Sequence, residues 1–215
     1  MRIAVLGTGD VGQMLANRVL SKGHAVRLGS RSTDNEKGQA WAASAQGDAA
    51  LATFADAAAF ADLAILAVSG AHALSVVESA GAGLHGKVLI DLTNPLDFSV
   101  GFPPRLSVCN DDSLGEQIQR SAPQVRVVKT LNTLSNPLML DPARLAGPHD
   151  ILLCGDDASA KRTVTELLQS FGWAAPIDLG DLTNARALEM WLPMWTRLYR
   201  ALGTADFNLH IQRGA

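Results

Sequence analysis

The sequence predicts an α/β fold: a doubly wound, mostly parallel sheet with a small helical appendage at the C-terminus. Short apolar runs alternate with amphipathic runs from residue 2 to about residue 180, as in repeated βα units. The run at residues 63–68 is apolar throughout, which is typical of a strand covered on both faces. Beyond Gly180 the alternation stops and one long helical stripe remains. We therefore divide the chain into residues 1–179 and residues 180–215.

Length and composition are those of an ordinary globular protein. The 215 residues are 47% hydrophobic and 18% charged, which suits one sizeable α/β core. The net charge of −3 gives no basic footprint for nucleic acid. No apolar run reaches about 18 residues, an apolar run follows Met1-Arg2 directly, and Cys109 and Cys154 have no metal-site spacing. We expect a cytoplasmic protein that binds neither nucleic acid nor membrane and holds no metal.

The first 31 residues have the pattern of a βαβ unit that binds a dinucleotide. Gly7, Gly9 and Gly12 lie at a strand-to-helix turn with the G-x-G-x-x-G spacing. Gly7 permits the tight turn, Gly9 lets the backbone approach a pyrophosphate, and Gly12 lets helix and strand pack closely. The helix amides and the positive end of the helix dipole then face the anion. The residues predicted to bind the pyrophosphate are Gly7, Thr8, Gly9, Asp10, Val11 and Gly12.

The end of the second predicted strand, which covers residues 25–31, favours NADP over NAD. An NAD site requires Asp or Glu about 20 residues after the glycine turn, and this strand ends without one. Ser30 offers a hydroxyl, and Arg31 offers a planar set of donors that suits a 2′-phosphate. One hydrogen bond to a charged group contributes about 1.5–3 kcal/mol, so Arg31 alone favours NADP by about ten- to a hundredfold. Lys37 is either a second phosphate contact or part of a solvated helix face.

Two later turns add candidates, because parallel strands end at the edge of the sheet where ligands bind. Val68 ends the fourth predicted strand, at residues 63–68, and Ser69 follows it. Asn94 and Pro95 come after the fifth, at residues 87–92. Asn94 precedes a proline and is therefore held extended. We expect it at the nicotinamide, with an ordinary turn residue as the alternative.

The remaining elements are predicted from apolar spacing and capping residues. Thr33 with Glu36, and Ser113 with Glu116, have the spacing of capping boxes, and Asp56 is a candidate cap for the alanine-rich helix that follows it. The further strands are predicted at residues 50–54, 125–129, 151–154, 174–179 and 207–211. The further helices are predicted to begin near residues 33, 56, 73, 113, 157 and 184.

The last helical stripe contains Pro193, which we expect to bend it. The large apolar side chains around the bend form either core or a dimer contact, or an apolar wall for a flat ring. These residues are Met190, Trp191, Pro193, Met194 and Trp195.

The sequence presents no convincing acid–base catalyst. Reduction of a ketone needs a proton donor beside the carbonyl, and the best candidate, Lys129, is interpreted as structural. Hydride transfer between two flat rings needs close stacking in a dry pocket instead. We therefore expect an NADPH-dependent oxidoreductase with a ring acceptor and no catalytic residue of its own. A reductase of a small carbonyl or imine, and a non-catalytic NADPH-binding module, are the alternatives.

Five segments, taken together and in order, resemble the coenzyme F420-dependent NADP oxidoreductase family. The NADPH domain of the STEAP metalloreductases is similar. The segments are GTGDVG at 7–12, GSR at 29–31, DLTNP at 91–95, VKTLNT at 128–133 and DLTNARALE at 181–189. The resemblance implies a Rossmann fold, NADP(H), coenzyme F420 or a flavin such as FMN or FAD as the acceptor, and a homodimer.

The resemblance also implies roles for particular residues. Ser30 and Arg31 would bind the 2′-phosphate. The nicotinamide would be bordered by Val68, Ser69, Leu131, Asn132 and Thr133. The deazaflavin would be enclosed by the last helix, with Pro193 and Met194 as its contacts. We add Trp191, from the apolar cluster at the bend, as a further candidate contact. Residues 180–215 would then cap the acceptor site.

Overall fold

The structure is a computed structural model that describes residues 1–214. Its strands are β1 (Arg2–Leu6), β2 (Ala25–Ser30), β3 (Ala49–Thr53), β4 (Leu63–Leu66), β5 (Val88–Asp91), β6 (Leu96–Asp97), β7 (Arg105–Leu106), β8 (Arg126–Thr130), β9 (Leu152–Cys154) and β10 (Ile177–Asp178). Its α-helices are α1 (Asp10–Ser21), α2 (Glu36–Ser44), α3 (Phe54–Phe60), α4 (Ala73–Ala80), α5 (Leu114–Ser121), α6 (Asn136–Leu140), α7 (Ala158–Phe171), α8 (Ala185–Met190) and α9 (Leu192–Leu202).

One eight-stranded sheet has the order β10-β9-β8-β5-β4-β1-β2-β3. The strands from β8 to β3 are parallel, whereas β9 is antiparallel to β8 and β10 is parallel to β9. The chain winds outward from β1 through β2 to β3, and then from β4 through β5 to β8 on the other side. The switch in direction therefore lies between β1 and β4. This mostly parallel sheet confirms the predicted Rossmann architecture.

Helices cover both faces of the sheet, and the core is divided accordingly. In β1, Ile3 and Val5 pack into one core with α1 and α7, while Ala4 and Leu6 pack into the other with α3, α4 and α5. All four side chains are fully buried. Such two-sided burial is the reason that the parallel strands read as continuous apolar runs.

Most predicted elements are present, with boundaries shifted by a few residues. The helical stripe predicted from residue 184 is divided at Trp191 into α8 and α9, with Pro193 in the first turn of α9. The helix is thus interrupted close to the proline, which supplies no N–H for a continuous helix, and the bend itself stays a prediction. The long loop after β5 carries an unpredicted hairpin, β6 paired with β7.

Two of the predicted caps were wrong. Asn35, and not Thr33, caps α2, while Thr53, and not Asp56, caps α3. Each cap is the residue with extended backbone immediately before its helix, which is the geometry that lets a side chain reach the third helical amide. The predicted cap at Ser113 is confirmed at the start of α5.

The strand predicted at residues 207–211 was also wrong, since no strand forms there. The segment contacts Asp150 through one backbone bond, from Asp150 N to Leu209 O at 2.9 Å. The carboxylate of Asp150 accepts a bond from Ile211 N, and the side chain of Asn208 donates to Asp150 O. Because side chains make these bonds, the backbone groups do not pair in a ladder.

Candidate dinucleotide and acceptor site

A cleft of about 760 Å³ lies at the switch point between β1 and β4. This is the position at which doubly wound sheets bind ligands, and the volume is that of an ordinary small-molecule site. The predicted cofactor residues that line the cleft are Gly7, Thr8, Gly9, Asp10, Val11, Ser30, Arg31, Val68 and Ser69.

The glycines of the first loop have different surroundings. A Cβ on Gly7 would lie 2.2 Å from the carbonyl oxygen of Ala67, and Gly7 has φ of +130°. A Cβ on Gly12 would lie 2.1 Å from the carbonyl oxygen of Gly7, so Gly12 is required where α1 crosses β1. A Cβ on Gly9 would have nothing within 4 Å. Gly9 therefore leaves open a space on the cleft that a side chain would fill, which fits close approach of a pyrophosphate.

The N-terminus of α1 opens onto the same space. Gly9 is the N-cap residue and makes no side-chain cap bond. The first amides of a helix have no partners within the helix, and the helix dipole places positive charge there. This arrangement suits an anion. Asp10 lies in this first turn with its side chain exposed, so its carboxylate is solvated.

Ser30 and Arg31 lie at the carboxyl end of β2 and face the cleft. Ser30 is buried and Arg31 is exposed. Arg31 makes no ion pair within residues 1–214. Its guanidinium is thus available to a ligand phosphate. Lys37 is exposed on α2 and does not line the cleft, so its phosphate contact stays a prediction.

Sequence reasoning missed several residues of the cleft. Two of them, Ser75 and Ser79, lie one turn apart on α4. Their sequence signal was a pair of hydroxyls on one face of a helix that begins at the switch point. His72 is the N-cap of α4 and also lines the cleft. Gly29 and Ala67 line the cleft as well. The remaining five carry no sequence signal of a ligand contact: Asn35, Phe54, Val76, Leu92 and Asn136.

The residues predicted at the nicotinamide are joined to one another in the turns beyond β5 and β8. Asn94 Nδ2 donates to Asn132 O at 2.9 Å, and Asn132 Nδ2 donates to Asn94 Oδ1 at 2.9 Å. Asn132 Nδ2 also donates to Leu188 O of α8 at 3.0 Å. Leu92, at the start of the turn after β5, and Asn136, at the end of the turn after β8, line the cleft. Five residues predicted at the nicotinamide are not part of the lining formed by residues 1–214: Asn94, Pro95, Leu131, Asn132 and Thr133.

A cluster of buried charges, which the sequence did not predict, lies next to these turns. Lys129 Nζ is 2.8 Å from Asp91 Oδ2 and 2.8 Å from Glu189 Oε1, and the three side chains are 0–1% exposed. We call Asp91, Lys129 and Glu189 the buried triad. Burial alone would lower the pKa of Lys129, but the two carboxylates outweigh burial and raise its pKa.

The contacts of Lys129 occupy its ammonium group within the protein. Its ammonium has three hydrogens, and its partners are Asp91, Glu189 and the carbonyl of Thr93. The side chain is fully buried. These contacts agree with the structural role predicted for Lys129, which stays a prediction.

The residues predicted to contact the acceptor begin two positions after Glu189 of the buried triad. Trp191 and Pro193 are half-buried, and Met194 is 52% exposed. None of these residues lines the 760 Å³ cleft. Trp195 instead stacks on Tyr199, with parallel rings 5.6 Å apart, and packs against Phe207. Trp195 thus holds the C-terminal segment to α9.

Three features are absent from residues 1–214. No group of three or more potential ligands is arranged to hold a metal ion. No helix has the length and apolarity needed to cross a membrane. No disulfide links Cys109, which is exposed, to Cys154, which is buried.

Comparisons with known proteins match this site in both sequence and structure. A family model described as NADP oxidoreductase, coenzyme F420-dependent, matches residues 2–95. The F420-dependent NADP reductase of Methanocaldococcus jannaschii is 31% identical over 218 residues, which cover 95% of this chain and 96% of that protein. The chain belongs to the F420-dependent NADP reductase family. This confirms the family resemblance, and it makes the protein an NADP-dependent oxidoreductase.

Two further comparisons agree with this family assignment. A protein of Arthrobacter sp. FB24, provisionally assigned as an F420 dependent NADP-reductase, has a crystal structure that matches with a TM-score of 0.94 and 49% identity. The match covers 99% of this chain and 100% of that one. Rat metalloreductase STEAP3 is 32% identical over 90% of this chain, which spans 38% of that protein.

Proposed function

We propose that this protein transfers a hydride between NADPH and the deazaflavin ring of coenzyme F420. One observation carries the proposal: the glycine loop, the uncapped start of α1 and the unpaired Arg31 all line one cleft. F420 is chosen because the curated relatives that match nearly the whole chain are F420-dependent NADP reductases.

The nucleotide would be held mainly by backbone groups. The backbone of Gly7, Thr8, Gly9, Asp10, Val11 and Gly12 would bind the pyrophosphate, because the amides at the start of α1 have no partner within the helix. Arg31, supported by the Ser30 hydroxyl, would bind the 2′-phosphate through charge-assisted hydrogen bonds. Lys37 would add long-range attraction from α2.

The reacting end would be shaped by the turns after β4, β5 and β8. When bound, NADPH supplies the hydride, so the protein has to orient two rings and exclude water. Asn132 Oδ1 is buried without a hydrogen-bond partner in the described chain, and a donor from a bound nucleotide would satisfy it. The residues proposed to border the nicotinamide are Val68, Ser69, Asn94, Pro95, Leu131, Asn132 and Thr133.

On the other side, we propose that Trp191, Pro193 and Met194 form an acceptor wall, meaning the apolar surface that faces the deazaflavin. Their partial exposure beside Glu189 supports this assignment. Residues 1–179 would then hold the nucleotide and residues 180–215, of which residue 215 lies outside the described chain, would cap the acceptor.

We also propose a cytoplasmic homodimer. The unpaired Cys109 and Cys154 fit a reducing compartment. Exposed apolar side chains on α9, including Tyr199 at 43% and Leu202 at 56%, support a contact between copies. Sedimentation equilibrium should give twice the chain mass, and Leu202→Glu should give the monomer; a monomeric wild type would contradict the dimer.

The proposed reaction is tested by mixing the protein anaerobically with NADPH and oxidised F420. The visible absorbance of F420 should disappear only when protein and NADPH are both present, and NADH should be far slower. FMN, FAD, a cyclic imine and a small ketone are the comparison acceptors. Turnover with the imine or the ketone, but with none of F420, FMN and FAD, would overturn the proposal. Tight NADPH binding without turnover of any of the five acceptors would also overturn it.

A further inference from the structure

We propose that Lys129 and Glu189 are positioning residues for hydride transfer, and that the buried triad fixes the acceptor wall against the two turns that border the nicotinamide. This inference rests on the proposed function, which places the two rings on either side of this junction.

One ammonium joins three elements that are distant in sequence. Lys129 is the fourth residue of β8, and it binds Asp91 at the end of β5 and Glu189 at the end of α8. It also binds the carbonyl of Thr93, immediately before Asn94. Residues proposed to touch the nicotinamide or the acceptor lie within two positions of these contacts: Asn94 follows Thr93, Leu131 lies two residues after Lys129, and Trp191 lies two residues after Glu189. A shift at Lys129 would therefore move both sides of the reacting site.

Glu189 also fixes α8 to α5 through hydrogen bonds, in addition to its ion pair with Lys129. Its carboxylate accepts hydrogen bonds from Leu114 N at 2.8 Å and Gly115 N at 3.0 Å, in the first turn of α5. The positive end of the α5 dipole adds a favourable interaction. Close packing supports the contact, because a Cβ on Gly115 would lie 3.1 Å from Ala185 Cβ. Glu189 is thus held from two directions, and it lies two residues before Trp191.

A second connection lies one residue earlier on α8. Leu188 O accepts the bond from Asn132, which also pairs with Asn94. Consecutive residues of α8 are therefore tied to the turns beyond β5 and β8. A buried ion cluster is poor support for stability compared with well-packed apolar residues, but it specifies one register of the elements that it joins. Hydride transfer between two rings requires a fixed relative position of the elements that border them.

The test compares Glu189→Gln with Arg186→Met. Glu189→Gln keeps the shape but removes the charge that holds Lys129. Arg186→Met removes a different ion pair between α8 and α5, Arg186 with Glu116 at 2.6 Å, which does not touch β5 or β8. Three quantities are measured: hydrogen exchange of the ligand-free protein, the Kd for NADPH, and the single-turnover rate of hydride transfer to F420.

Glu189→Gln should increase exchange in residues 185–202 and 93–95 but not in α1. It should leave the Kd for NADPH within about twofold and lower the transfer rate at least about tenfold, because small misplacements of reacting groups are costly. Arg186→Met should change neither the Kd nor the rate. If Glu189→Gln does not fold, Glu189→Asp, which keeps the charge but shortens its reach, is judged by the same criteria.

A wild-type transfer rate in Glu189→Gln would overturn the proposal. Equal losses of rate and NADPH affinity, or an equal slowing in Arg186→Met, would also overturn it, because either indicates general damage. If wild-type protein transfers no hydride to F420, the proposed function fails instead. The exchange measurement then still decides whether Glu189 anchors α8 and α9 to the turn after β5.

Discussion

The two ends of the proposed site use different groups of the protein: mainly backbone at one end and buried charged side chains at the other. The nucleotide-holding end consists of backbone amides, an open glycine and the exposed Arg31, all within one βαβ unit. The reacting end is set by buried charged side chains on β5, β8 and α8. The first end is local in sequence and open to solvent, and the second joins distant segments in the interior. This contrast predicts that the affinity for NADPH and the rate of hydride transfer can be changed separately by substitutions at the two ends.

The largest expected effect comes from two substitutions in the glycine loop, one at a glycine needed for packing and one at a glycine proposed to approach the pyrophosphate. Gly12→Ala would place its Cβ 2.1 Å from a backbone oxygen. We expect it to destabilise the protein by about 3 kcal/mol or more and to abolish measurable NADPH binding. Gly9→Ala should leave the melting temperature unchanged, because its Cβ meets nothing. It should nevertheless raise the Kd for NADPH about tenfold or more by filling the phosphate space.

Calorimetric melting and fluorescence titration of the two variants measure these effects. If Gly9→Ala bound NADPH as tightly as wild type, the backbone at Gly9 would not approach the pyrophosphate.

The next effect tests how the nucleotide-holding end distinguishes NADPH from NADH. Arg31→Ala should weaken NADPH binding about ten- to a hundredfold, which corresponds to one charged hydrogen bond of about 1.5–3 kcal/mol. NADH should be affected less than about twofold, because it has no 2′-phosphate for Arg31 to contact. Lys37→Ala, which removes a cation that does not line the cleft, should weaken NADPH binding less than Arg31→Ala does. Equal losses for both nucleotides would show that Arg31 does not read the 2′-phosphate.

Thiol reactivity reports how closed the buried region is. Cys154 on β9 is buried, and burial raises its pKa to about 12, so little of the reactive thiolate forms near neutral pH. Iodoacetamide should therefore modify Cys109 quickly and leave Cys154 unmodified in the native protein, as read by mass spectrometry of peptides. Rapid modification of Cys154 in folded protein would indicate that this interior opens readily.

The smallest effect concerns the surface pair that links α5 and α8. Hydrogen bonds from Arg186 hold the pKa of Glu116 below its ordinary value of 4.5. A carboxyl with a lowered pKa stabilises the fold above that ordinary value, and the contribution is lost as pH falls through the folded pKa. Arg186→Met should lower the Tm by a few degrees at most, and the difference from wild type should shrink as the pH falls below the ordinary pKa of 4.5. A difference that grows with acidity would contradict this assignment.

The same contrast explains what could be predicted from the sequence. The glycine loop and Arg31 were identifiable because each role depends on neighbours within one βαβ unit. The buried triad was not, because Asp91, Lys129 and Glu189 become partners only through the strand order and the docking of α8. The strand predicted at residues 207–211 failed for a similar reason, since the side chain of Asp150 takes up the bonds of that segment.

The most direct test measures two quantities, the Kd for NADPH and the single-turnover rate of hydride transfer at saturating NADPH, in three proteins. Arg31→Ala should raise the Kd about ten- to a hundredfold and leave the saturated rate near that of wild type. Glu189→Gln should do the reverse, with the Kd within about twofold and the rate lowered at least about tenfold. If both variants changed both quantities in parallel, the two ends of the site would not be separable and the account would be contradicted.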